Sequence, residues 1–416
     1  MNFDEQLTLI RESARYELFN NLIPYWFDHT MDEKQGGFFG RINHDNLPEK
    51  DAPKGVILNT RILWTFSSVH RQFDSMESEI LAKRACDYVQ DQFLDESQGG
   101  VYWLLNADGT VRDDRKHMYA QGFAVYAFSE YFGAFGDEKA LRLAKEIFNL
   151  MEKHGYDAEF GGYYECFSRD WKLLDDVRLS EKDINEPKSM NTHLHVLEGY
   201  TNLYRYWPDE QLKSAIKKLI HVFTDHIIDD EKYSLVKFMD VDWTPKTFDK
   251  SFGHDIEASW LIMEAAEVID DEDLTTSLRK KMLKMADAVL ENGMNEDGSL
   301  INEMHADGSV DKVRDYWPQA EGAVGFLQAF EFTHESNYLN AAKGLWDYIT
   351  SRMVDREHGE WHECVDEHGV PLQIDKIREW KGPYHGGRAC MEIMNRCEKL
   401  SDVQNPVTAD DMSRIN

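Results

Sequence analysis

LDESQGGVYW, residues 94–103, decides the fold because it is not alone. An acidic turn, a pair of glycines and a short aromatic stretch with strand character also make up MDEKQGGFFG (31–40) and YDAEFGGYYE (156–165). Looser versions are DDEKYSLVKF (229–238), NEDGSLINE (295–303) and DREHGEWHE (355–363). The device returns about every 60 to 70 residues, so six units account for nearly the whole chain.

Between these turns lie paired segments of helical periodicity. In GVILNTRILWTFSSVHRQF (55–73) apolar residues recur at three- and four-residue intervals, and ESEILAKRACDYVQDQFL (77–94) follows as its partner. The pairing returns in 119–135 with 140–154 and in 190–207 with 211–227, and again after SFGHDIEASW (251–260) and YWPQAEGAVGFLQAF (316–330). Six helix hairpins joined by short β-like loops predict an all-α fold, an (α/α)6 barrel of inner and outer helices, in one catalytic domain over residues 1–400. An open α-solenoid used for protein binding is the alternative. Polar groups among the apolar residues of the inner helices favour the closed ring. Residues 401–416, SDVQNPVTADDMSRIN, read as a polar and disordered tail.

Composition narrows the function. With 46 basic against 77 acidic residues the formal charge is −31, a field that repels phosphate backbones and anionic membranes. Nucleic-acid and membrane partners are not expected. The 5 cysteines are scattered and form no CxxC pair, so neither a disulfide framework nor a thiolate zinc site is expected. The first residues lack the basic-then-apolar design of a signal peptide, and no apolar run is long enough to span a bilayer. These features predict a cytoplasmic protein. Walker, GxGxxG, GxSxG, HExxH and DxDxDG patterns are absent.

The first helix of each pair opens on a polar or aromatic cluster: Arg61 in NTRILW, Tyr119 in KHMYAQ, Asn191, His195 and Glu198 in MNTHLHVLE, His254 and Glu257 in GHDIE, Trp317 and Glu321 in DYWPQAEG. Trp380 and His385 follow in EWKGPYHGGR. If all inner helices start at one end of a ring, these groups share one funnel. Singly, each has an ordinary reading: a structural arginine, i,i+3 pairs on a helix face, core aromatics. His193 reads as a packing histidine. Three histidines and a glutamate could hold zinc with an open position, but no ligand spacing supports it. A glycosidase would need two carboxyls flanking the scissile bond. Here the acid–base character lies with the histidines, which suits proton transfer near neutral pH.

Taken together, NTRILW, GGVYW, LSEKD, SMNTHLHVLE, GHDIEASWL, YWPQAEGAVGF and WKGPYHGGRACMEI resemble the N-acylglucosamine 2-epimerase superfamily, and within it the cellobiose 2-epimerase branch. The resemblance runs from about residue 5 to 397. It implies an (α/α)6 barrel that reversibly epimerises C2 of a reducing-end glucose in β-1,4-linked disaccharides, cellobiose or lactose, through a cis-enediolate, without metal or other cofactor. Free mannose or glucose, as substrates of a 2-epimerase or a mannose–fructose isomerase, is the alternative. By resemblance His254 and His385 form the acid/base pair, and Glu257 fixes the tautomer of His254. Arg61 and His195 hold the enediolate oxygens. Tyr119, Asn191 and Glu321 belong to the substrate site, Trp317 and Trp380 face the sugar rings, and Asp183 reaches the second sugar. A sugar is the only partner implied, and a monomer is the default. A ring that only bound sugar or protein would show a disrupted histidine set. One departure stands out: the family asparagine after the last histidine is replaced by Gly386.

Overall fold

The computed structural model describes residues 3–404. Thirteen α-helices follow one another: α1 (Phe3–Glu17), α2 (Ile23–His29), α3 (Val56–Phe73), α4 (Met76–Tyr88), α5 (Met118–Phe135), α6 (Glu138–Leu150), α7 (Met190–Tyr206), α8 (Glu210–Val222), α9 (Phe252–Val268), α10 (Glu272–Asn292), α11 (Tyr316–Thr333), α12 (Ser336–Tyr348) and α13 (Tyr384–Gln404). Helices α3, α5, α7, α9, α11 and α13 each pack on the next, and α13 packs back on α3, closing an inner ring. Helices α4, α6, α8, α10 and α12 each back the inner helix that precedes them.

The sixth pair differs from the sequence expectation of six consecutive hairpins. It is α13 backed by α1, so the first and last helices of the ring are partners. Long-range bonds lock the seam: Trp26 Nε1 donates to Glu360 Oε2 at 2.7 Å and Trp361 Nε1 to Glu17 Oε1 at 2.8 Å. Helix α13 continues past Ser401 to Gln404; the rest of the proposed tail lies outside the described residues. Among the described residues no helix is long and apolar enough to cross a membrane.

Inner helices are buried almost all round, as a helix covered on every side must be. In α5 every residue from Met118 to Tyr131 is buried. Outer helices carry one apolar stripe; α6 buries Ala140, Ala144, Ile147 and Phe148 and exposes its charged face.

The recurring turns explain how the ring is registered. In each of four, the acidic residue accepts backbone N–H groups of its own turn and also bonds a buried lysine ahead of an inner helix. The lysine is immediately ahead in three and at the start of the loop leading to α13 in the fourth. The pairs are Asp32–Lys54 (2.9 Å), Asp95–Lys116 (3.1 Å), Asp157–Lys188 (2.8 Å) and Asp355–Lys376 (2.5 Å). Two-residue antiparallel ladders then tie the start of five inner helices to the following repeat: Lys54–Gly55, Lys116–His117, Lys188–Ser189, Lys250–Ser251 and Arg314–Asp315. All inner-helix N-termini therefore lie on one rim.

A polar side chain in the first turn of four inner helices reaches the turn from within. Gln121 Oε1, His193 Nε2, Asp255 Oδ1 and Gln319 Oε1 accept from the N–H groups of Val101, Tyr163, Leu235 and Leu300. His193 is thus one member of a repeated structural set, in accord with its reading as a packing residue. The contact leaves no room beside it. Gly162 has φ +75°, and a Cβ there would sit 2.6 Å from His193 Nε2.

Candidate active site

Each inner helix delivers its opening side chains to one cavity of about 450 Å³ at the rim. Arg61, Tyr119, Asn191, His195, His254, Glu257, Trp317, Trp380, His385 and Asp183 all line it. They come from α3, α5, α7, α9, α11, α13, the loop ahead of α13 and the loop ahead of α7. No two of the helices are neighbours by sequence accident; the shared rim places them.

The three histidines are each tied off at Nδ1. His195 Nδ1 meets Glu198 Oε2 at 2.8 Å, His385 Nδ1 meets Glu321 Oε1 at 2.7 Å, and His254 Nδ1 meets Ser251 Oγ at 2.7 Å. That leaves Nε2 of each ring for the cavity, with orientation fixed by the bond behind it. The His254 and His385 rings both pack on Trp317, with centroids 4.6 and 5.7 Å away. Burial pushes the basicity of all three histidines down, His254 and His385 well below the ordinary imidazole value. They stand as neutral bases.

Arg61 is held from two sides. It donates to Tyr119 Oη at 3.0 Å and to the Trp380 carbonyl at 2.5 Å, and its guanidinium lies over Phe123 and Tyr384. Burial, opposed by the Arg61 charge, raises the Tyr119 hydroxyl to about 12, so it remains a donor. Trp380 meets Trp103 edge-on at 5.6 Å.

Two sequence expectations need correction. Glu257 does not orient His254. Ser251, at the helix N-cap, turns its hydroxyl to the ring instead of capping the helix, while Glu257 turns to Arg388, whose Nη2 lies 2.5 Å from its Oε1. Glu321 is not among the residues lining the cavity; it sits behind His385 as its Nδ1 partner. Asp183 does line the cavity, but its Oδ2 accepts from Ser180 N (2.9 Å) and Ser180 Oγ (3.0 Å), so that oxygen shapes the loop.

The residue that sequence reasoning missed is Arg388, one helical turn after His385. It is buried, and its guanidinium binds Glu198, Glu257 (2.5 Å) and Glu321 (2.8 Å), with the Tyr384 hydroxyl joining at Glu198. Two catalytic-type histidines are therefore joined through one cation: His195–Glu198–Arg388–Glu321–His385. Burial alone would raise Glu198, yet Arg388 and His195 hold it down to about 2. Ligand atoms of Glu257, Glu321 and His385 lie within 4.8 Å of one another, a spacing that could suit a metal. Arg388 already supplies the positive charge at that point, with Oε1 of both glutamates engaged.

Gly386 bears on packing alone. A Cβ there would meet Leu22 and Trp361 at 3.5 and 3.6 Å, at ordinary contact distance, and neither Gly386 nor Gly387 lines the cavity.

Removing the Ser251 hydroxyl tests the orientation of His254. Ser251→Ala is expected to lower kcat several-fold with KM little changed, the worth of one hydrogen bond of about 1 kcal/mol. Steady-state kinetics would show it, and a KM-only effect would contradict the assignment.

A sequence model of the N-acylglucosamine 2-epimerase family (GlcNAc 2-epimerase) matches residues 37–389. The chain belongs to this family. Among its relatives, cellobiose 2-epimerase of Bacteroides fragilis is 41% identical over 388 residues, covering 93% of this chain and 99% of that one. Cellobiose 2-epimerase of Dictyoglomus turgidum is 38% identical over 391 residues, covering 94% and 99%. The solved structure of cellobiose 2-epimerase from Bacillus thermoamylovorans B4167 superposes with a TM-score of 0.89 at 38% identity, over 94% of this chain and 99% of that one. A D-mannose isomerase structure, at 21% identity and a TM-score of 0.78, shares the fold. Membership of the N-acylglucosamine 2-epimerase family makes the chain a sugar epimerase, an enzyme of the isomerase class.

Proposed function

We propose that this protein reversibly epimerises C2 of the reducing-end glucose of β-1,4-linked disaccharides, turning cellobiose into glucosylmannose and lactose into epilactose. The observation that carries the reading is one cavity in which His254 and His385, each tied at Nδ1, share a wall with Arg61 and His195. Disaccharides are favoured by the cellobiose 2-epimerase relatives and by the room beyond Trp380. There a second hollow of about 520 Å³, lined by Trp103, Arg115 and Arg178, shares Leu179, Ser180, Glu181, Arg378 and Trp380 with the first.

The chemistry follows from what the sugar requires. The C2 hydrogen becomes acidic only beside a C1 aldehyde, so the ring must open first. His385, as a neutral base, takes the O1 proton and returns it to O5, freeing the aldehyde. His254 then removes the C2 proton, and the charge spreads from C2 to O1 of a cis-enediolate whose O2 keeps its proton and can bridge to O1. Arg61 and His195 stand where that charge develops, in a site with little water to compete. The proton on His254 moves to O1, giving the enediol. His385 takes the O1 proton and delivers it to the opposite face of C2. Every proton is accounted for with both histidines neutral at the start.

That balance has a pH consequence. Because burial lowers both histidines, they remain neutral below the ordinary imidazole value of about 6.5, and protonation disables them only when pH falls further. The acid limb of kcat/KM is expected below pH ~6.5. A limb centred above that value would contradict neutral, buried bases.

The deciding experiment is an NMR time course in D2O with cellobiose, glucose and mannose in separate tubes. A reducing-end mannose signal from cellobiose is the expected result, with deuterium at C2 to the extent that the proton in transit on His254, O1 or His385 exchanges with D2O. Reaction of the free monosaccharides alone would move the substrate to that class, and fructose would mark an isomerase.

A further inference from the structure

One guanidinium faces three buried carboxylates. Glu198, Glu257 and Glu321 are 3%, 1% and 1% exposed, and Arg388 is their shared cation. Three buried anions around one positive charge, with neutral histidines beside them, leave an uncompensated negative charge in a low-dielectric site. At least one carboxyl must hold its proton.

The partners say which one. Glu198 has Arg388, His195 and the Tyr384 hydroxyl. Glu321 has Arg388, His385 and the Trp260 indole N–H at 3.3 Å. Glu257 has Arg388 at Oε1, while its Oε2 is buried and meets no hydrogen-bond partner among the described residues. Glu257 also lines the sugar cavity, whereas Glu198 and Glu321 are not among its lining residues. The carboxyl least supported as an anion is the one whose second oxygen is buried without a partner among the described residues, on a residue that lines the cavity.

We propose that Glu257 stands as the neutral acid near neutral pH and offers its Oε2–H to the cavity as a hydrogen-bond donor to the enediolate. Glu257 is then a catalytic residue through donation, with no net proton transfer, beside Arg61 and His195. This rests on the sugar-epimerase reading above. A carboxylic acid kept neutral by its surroundings is a known way to hold an enolate oxyanion. Burial and the charge of Glu321 raise Glu257 to about 8, consistent with this placement. The groups facing it are Arg388, Tyr384 and His385 of α13, Glu321 of α11, Glu198 and His195 of α7, Tyr119 of α5 and His254 on its own helix.

The test contrasts two substitutions. Glu257→Gln keeps the shape, keeps an oxygen for Arg388 and puts an N–H donor where the O–H stood. It is expected to lower kcat/KM by less than tenfold and to remove an alkaline limb near pH 8 that the wild type shows as Glu257 ionises. Glu257→Ala is expected to lose about 10²–10³-fold, the effect of deleting one oxyanion donor. Gln as damaging as Ala, or an alkaline limb unchanged in Gln, overturns the proposal. Infrared difference spectra of the resting protein, wild type minus Glu257→Gln, give a readout that needs no turnover. A protonated-carboxyl stretch at neutral pH that fades above pH 8 is expected, and its absence overturns the proposal whatever the activity. Failure to epimerise any sugar with that band present would instead refute the epimerase reading and, with it, the donation step.

Discussion

Replacing either His254 or His385 by asparagine is expected to drop turnover by about 10²–10⁴-fold, the usual worth of a positioned general acid–base group. Asparagine keeps polarity and much of the volume, so the thermal transition should move little. The informative readout is isotopic. In the proposed scheme each histidine serves one face of C2, so exchange of the C2 hydrogen with D2O, run separately on the glucose-type and mannose-type epimers and allowing for the slower ring opening without His385, would separate the two roles. Residual exchange in each variant is expected for one epimer only, and for the opposite epimer in the two variants. Equal exchange of both epimers in both variants would replace the two-base scheme with a single-base one. Near wild-type turnover in either variant would sink the acid/base assignment itself.

Removing Arg388 is the largest expected insult to stability. Arg388→Met leaves Glu198, Glu257 and Glu321 buried without their cation, a loss of about 3–5 kcal/mol. The sign of its pH dependence can be worked out. In the wild type Glu198 is held at about 2, below the ordinary carboxyl value of about 4.3. Its contribution is therefore present above that ordinary value and lost as pH falls towards 2. Without Arg388, burial dominates and the folded-state carboxyls rise above about 4.3. The folded variant then binds more protons than the unfolded chain, and its stability must fall as pH rises through that window. Denaturant melts of the variant should show recovery on acidification towards pH 5 that exceeds the gain Glu257, raised to about 8, already gives the wild type. A variant as stable as wild type at pH 8 would mean that the cluster relaxes or admits water.

Much of this arrangement was legible in the sequence because the fold is periodic. Once LDESQGGVYW and its five companions are aligned, every inner helix has a defined start, and the residues in its first two turns must face one rim. That logic placed His195, His254, His385, Arg61 and Tyr119 at one rim, and all five line the cavity. It failed where interactions cross the ring. Arg388 binds carboxylates from α7, α9 and α11, and no spacing along the chain marks such a triangle. His254 was paired with Glu257 because i,i+3 residues meet on a helix, but an N-cap hydroxyl was nearer and a guanidinium competed for the carboxylate. Glu321 was read as a sugar contact, since periodicity gives the face of a helix and not the depth along it. The sixth hairpin escaped because its two helices are the most distant in the chain.

That last arrangement has a consequence for how the enzyme comes into being. His385 and Arg388 lie on α13, and α13 is backed by α1, which precedes the other described helices in the chain. A growing chain has three of its four buried acid–lysine latches complete by residue 188, yet has neither His385 nor the cation shared by Glu198, Glu257 and Glu321. Until residue 388 has emerged and found α1, the half-built rim is a pocket of unneutralised acid. Synthesis therefore cannot release a partly competent enzyme; chemistry and ring closure arrive in the same step.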